Sequence, residues 1–122
     1  MKFLSAFLLL CMSALCLIAG QFKSTFFSST NDVGPIPIAD NELMVIRNFT
    51  QDGPGTSRGY AVFNHDQGHE PIKILAASIV DSASPEGSQE VINSVIVAGP
   101  GRVRFHCGDA ANCFVTFKID SN

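Results

Sequence analysis

The sequence predicts an all-β domain: a small antiparallel β-sandwich or barrel of about six strands joined by hairpin-length turns, preceded by a signal peptide. Three observations lead there. Short runs rich in Val, Ile and Phe recur at near-regular spacing, and Gly/Pro-rich turns separate them. No gap between the runs is long enough for the helix of a parallel crossover. The chain has 122 residues, enough for one domain, with 8 basic against 11 acidic side chains and a formal net charge of -3. That balance argues against nucleic acid or an anionic membrane surface as a partner.

Residues 1–20 read as the signal peptide. Lys2 supplies the positive start, residues 3–18 the apolar core, and Ala19 and Gly20 the small-residue exit before Gln21. The apolar stretch is shorter than the roughly 20 residues that span a bilayer. No second one follows, so the mature chain is expected to have no membrane span. Cleavage is expected after Gly20. It removes Lys2, Cys11 and Cys16, and leaves Cys107 and Cys113 as a pair with a single intramolecular bridge open to it. An exported chain passes through an oxidising compartment, so a Cys107–Cys113 disulfide is expected.

Residues 21–40 are expected to be irregular, because Phe26 and Phe27 lie among Ser and Thr while Gly34, Pro35 and Pro37 oppose regular pairing. Residues 41–122 make up the β domain. Its predicted strands are 43–49, 58–64, 72–80, 90–97, 102–107 and 113–119, and the β-branched Val and Ile of 90–97 favour strand over helix. The last two runs predict a hairpin. Val103, Phe105 and Cys107 alternate with Arg102, Arg104 and His106, and Cys113, Val115, Phe117 and Ile119 share one parity. Pairing Cys107 with Cys113 sets Phe105 against Val115 and Val103 against Phe117 on a single face. It also sets Arg102 opposite Lys118, an unfavourable pair. The disulfide closes a short loop and adds only about 2 kcal/mol.

The residues that could carry chemistry point away from catalysis. His65 and His69, with Asp66 and Glu70, have the spacing of a helical metal pair. Gly68 and Pro71 oppose a helix there, so no metal site is expected. The glycine-rich stretch 53–59 resembles a phosphate loop, yet no helix follows to face a phosphate, and it reads as a turn. No serine sits in a Gly-x-Ser-x-Gly elbow. Neither catalytic residues nor a cofactor are expected. Arg102, Arg104 and His106, with Lys118 nearby, form either a small anion-contact stripe or an ordinary solvent face. Asn48-Phe49-Thr50 is an N-glycosylation sequon. Strict alternation groups Asn48 with apolar Met44 and Ile46, which conflicts with the outward position a glycan requires.

The pattern from Ala39 to Ile119 resembles the arthropod multiprotein bridging factor type-two family, whose members include salivary secreted peptides. Ala39-Asp40-Asn41-Glu42-Leu43 is similar to its Gly-Asp-x-Leu lead into an early strand, and 74–81 to its Ile-x-x-Ile-x-x-x-Asp region. Ala98-Gly99-Pro100-Gly101 with Val103-Arg104-Phe105 is similar to its Gly-Gly-Pro-Gly turn and following strand, and 114–119 to its closing Phe-x-Val-x-Ile. The chain departs from the pattern at Ala98 and in the turn between Cys107 and Cys113. The resemblance implies a salivary or haemolymph secreted peptide and contributes no catalytic residues.

Together these readings predict a secreted, extracellular, non-enzymatic domain. It binds an extracellular protein or small molecule, with loops 50–59 and 108–112 as the first places to look. One alternative is a carrier of a small apolar ligand, suggested by the content of Phe, Ile and Val. Another is the transcription coactivator that the resembled family's name implies, which an export signal and a disulfide oppose.

Overall fold

A computed structural model describes residues 20–53, 57–80 and 94–122. The signal-peptide reading of 1–19, the centre of the 53–59 turn and the start of the predicted run 90–97 lie outside the described residues. The strands are β1 (Lys23–Ser28), β2 (Val33–Ile38), β3 (Glu42–Asp52), β4 (Tyr60–His65), β5 (Ile72–Ala76), β6 (Ser78–Val80), β7 (Val95–Ala98), β8 (Gly101–His106) and β9 (Asn112–Ser121). They form a sandwich of two sheets. The four-stranded sheet runs β2-β8-β4-β5, and the five-stranded sheet runs β1-β9-β3-β6 with β7 also on β3.

The segment 21–40, expected to be irregular, holds two strands. Phe27 and Ile38 anchor them in the core. Both are edge strands, β1 pairing with β9 and β2 with β8. An edge tolerates the missing N–H of proline, and the ladder of β2 breaks between Val33 and Ile36, where Gly34 has φ +107° and Pro35 follows. The predicted run 72–80 is divided as well. Buried Ala77, whose amide donates to the Gly59 carbonyl at 2.9 Å, separates β5 in one sheet from β6 in the other. Thr50–Asp52 of β3 pair with β6 in parallel, an exception to the antiparallel order.

The predicted closing hairpin is replaced by a crossing between sheets. β8 lies in the four-stranded sheet beside β2 and β4, and β9 lies in the five-stranded sheet between β1 and β3. Phe105 pairs with Val33 and Ala61, and Val115 with Thr25 and Phe49. The alternation that suggested a ladder is real, but it aims both strands' apolar faces at each other across the core. The Phe105 and Phe117 rings stack at 5.9 Å. The disulfide Cys107–Cys113 is present, with Cα atoms 5.8 Å apart, and it joins one sheet to the other. Arg102 and Lys118, expected to repel across a hairpin, stand on different sheets.

The core is aromatic at its centre. Phe49 of β3 meets Phe105 of β8 edge-on at 5.5 Å, and Phe27 lies against Phe49 at 6.0 Å. Met44, Ile46, Val103 and Val115 are fully buried around them. Fully burying each such side chain is worth roughly 1.5–3 kcal/mol, so this shared layer is what positions both outer faces.

Candidate binding faces

On the four-stranded sheet, β8 turns Gly101, Val103 and Phe105 inward and Arg102, Arg104 and His106 outward, the period-2 pattern of a half-buried strand. The register completes the outer face. Arg102 lies between Pro37 and Asn64, Arg104 beside Val62, whose other neighbour is Lys73, and His106 beside Tyr60. A concavity of ≈ 260 Å³ opens here, with Pro35, Val62 and Pro71 as apolar wall and Asn64, Arg102, Arg104 and His106 as polar lining. His106 Nδ1 meets Asp32 Oδ2 at 2.7 Å, and its ring lies 4.8 Å from that of Tyr60. Lys73 Nζ stands 4.3 Å from the Tyr60 ring centroid.

Arg102 and Arg104 are exposed, and among the described residues neither has a carboxylate partner. Guanidinium forks match carboxylate, sulfate and phosphate oxygens two at a time. In a chain of net charge -3 the face is a local reversal of sign. Lys118, read from sequence as a neighbour of this stripe, belongs to the other sheet. There its Nζ lies 2.8 Å from Asp120 Oδ2 and 5.0 Å from the Phe22 ring centroid. The hydrogen bond from Lys118 holds the Asp120 carboxyl below its ordinary value. The Gly20 amide, which the expected cleavage would remove, adds at 2.9 Å to that shift against a desolvation that opposes it.

The described parts of loops 50–59 and 108–112 come together, and a residue that sequence reading passed over joins them. Gln51 is fully buried. Its Oε1 accepts the amides of Gly59 (2.7 Å) and Gly108 (3.1 Å), and its Nε2 donates to the Ser57 carbonyl at 3.0 Å. The Asp109 amide donates to Ser57 Oγ at 2.9 Å. A Cβ on Gly108 would collide with the Ser57 carbonyl and the Gln51 side chain. The described parts of these loops spend their polar groups on each other, tying the two sheets together beside the disulfide.

His65 and His69 lie with ring centroids 5.8 Å apart in the β4–β5 turn, where His65 Nδ1 accepts the Gln67 amide at 3.1 Å. Among the described residues, no three His, Cys, Asp or Glu side chains converge as metal ligands. No helix of the described residues is long and apolar enough to cross a membrane.

The outer face of the five-stranded sheet is aromatic and hydroxyl-lined. Phe26 is 81% exposed and lies 4.8 Å from Phe114 on the neighbouring strand. Ile96 and Phe22 are also exposed. Between the apolar groups run Ser24, Thr116 and Asn48, with Ser24 Oγ and Thr116 Oγ1 3.0 Å apart. The expected conflict at Asn48 is resolved by a bulge. The β3–β9 register shifts between Ile46 and Asn48, so Ile46 and Phe49 both point inward and Asn48 and Thr50 outward.

No family model matches the chain, and no curated protein does. Solved structures of the capsular polysaccharide assembling protein CapF from Staphylococcus aureus are similar to it, one at TM-score 0.51 and 11% identity, another at 0.51 and 10%. A third, of CapF with the inhibitor 3-isopropenyl-tropolone, is also at 0.51 and 11%. Each alignment covers 85% of this chain, which spans only about a quarter of CapF, 25% or 23% by structure. At that identity the likeness shows the fold alone.

Proposed function

We propose that this chain is a secreted, non-enzymatic β-sandwich that binds an extracellular partner through the outer face of its four-stranded sheet. The partner presents a carboxylate or sulfate group beside apolar surface. The observation that carries this reading is Arg102 and Arg104, without a carboxylate partner among the described residues, at a concavity walled by Pro35, Val62 and Pro71. Export is supported by the leader-like composition of residues 1–20 and by a disulfide that suits an oxidising compartment. The arthropod secreted-peptide resemblance points the same way and suggests saliva or haemolymph as the setting. A filled aromatic core favours recognition at the surface over carriage of an apolar ligand inside.

Nuclear magnetic resonance titration tests the reading, using two probes of equal charge: a heparin-derived tetrasaccharide and an Asp/Glu peptide. Binding of either should shift the amides of Asn64, Arg102 and Arg104 first and should weaken as salt rises. Shifts confined to other surfaces, or no shifts with both probes, would refute it.

A further inference from the structure

We propose that Asn48 carries an N-linked glycan whose first sugars lie over the aromatic pair Phe26–Phe114. The inference rests on the export reading above. Four observations converge on Asn48. The bulge after Ile46 turns it to the outer face. Thr50 Oγ1 donates to its Oδ1 at 2.7 Å, and Nδ2, the atom that takes the sugar, has no hydrogen-bond partner among the described residues. β7 covers β3 only along Leu43–Ile46 and β6 only along Thr50–Asp52, so no described strand flanks Asn48 on that side. Finally, Asn48 pairs with Thr116 and lies diagonal to Phe114, a separation of roughly 7–8 Å that one sugar ring bridges.

The same face explains what the glycan does. Phe26 is 81% exposed, and with Phe114 4.8 Å away on the next strand it offers an apolar surface that a sugar ring can cover. The C–H face of N-acetylglucosamine supplies that cover, attached by the chain's own sequon. In the attachment step, Asn48 Nδ2 loses a proton to a base of the transferring enzyme and bonds to C1 of the first sugar. The bond from that carbon to the lipid diphosphate donor breaks, and the diphosphate leaves with the electron pair.

The test uses the full chain expressed in insect cells, followed by intact mass and peptide mapping of protein from the medium. The expected result is a glycoform that peptide N-glycosidase converts to Asp at position 48, absent in Asn48→Gln and Thr50→Ala. Secreted protein unmodified at Asn48 overturns the inference while the export reading stands. Unmodified protein retained in the cytosol overturns both. Enzymatic removal of the glycan should lower the thermal midpoint of the wild type by roughly 2–4 °C, and that of Phe26→Ser by no more than about 1 °C. Equal losses in the two proteins would show that the sugar does not lie on the ring.

Discussion

The two outer faces of this sandwich hang from one core and present opposite chemistry. On the four-stranded sheet, Arg102, Arg104 and His106 gather around a concavity. On the five-stranded sheet, Phe26, Phe114 and Ile96 flank a row of hydroxyl and amide groups with the sequon among them. Strand alternation alone produces such a pair of faces, because every residue that leaves the core must enter one of them. What separates their roles is partnering. On the five-stranded side Lys118 is paired with Asp120 and Arg47 lies 5.2 Å from the Phe22 ring centroid, whereas Arg102 and Arg104 have no carboxylate within ion-pair distance among the described residues.

The harshest way to break the comparison is to remove the layer both faces share. Phe105→Ala should cost roughly 3–5 kcal/mol in chemical denaturation, since Phe105 touches rings of the opposite sheet on two sides. Loss of much less would mean that the sheets are held by something other than this aromatic layer. Gln51→Leu attacks the tie between sheets at one end. It leaves the Gly59 and Gly108 amides without their acceptor and should cost roughly 2–4 kcal/mol by urea titration. Replacing Cys107 and Cys113 together by Ala should cost about 2 kcal/mol while leaving probe-induced shifts at Arg102 and Arg104 in place.

The smallest effect is electrostatic and belongs to the five-stranded side alone. Asp120 is held below its ordinary value of 3.8 by Lys118, so its contribution is complete above that pH and disappears as pH falls through the lowered value. Asp120→Asn should therefore reduce stability slightly at pH 7, with the difference from wild type closing below pH 3.8 in thermal melts.

The fold class was legible because its signal is local: alternation in Arg102–Cys107 and Gly/Pro punctuation survive any choice of partner strand. The pairing was not. A five-residue link such as 107–111 serves a hairpin or a crossing between sheets equally well, and the disulfide satisfies both. Core anchors Phe27 and Ile38 were hidden among Ser, Thr and Pro, because edge strands need only one good ladder. Gln51 gave no signal, since a buried glutamine is defined by the amides it meets from Gly59 and Gly108, which are distant in sequence or unpredictable in angle. The Arg102–Arg104–His106 stripe was visible from parity alone. Its companions Asp32, Tyr60, Lys73 and Asn64 arrive only through the register of three other segments. Asn48 seemed to face the core because one bulged residue, Arg47, inverts the parity of everything after it.

Calorimetric titration of wild type and Arg102→Ala/Arg104→Ala with whichever anionic probe binds, each protein verified as folded, is the most direct test of the division between faces. The double variant should bind roughly 100-fold more weakly, while Phe26→Ser binds as the wild type does. Equal affinity in wild type and the double arginine variant would contradict the account.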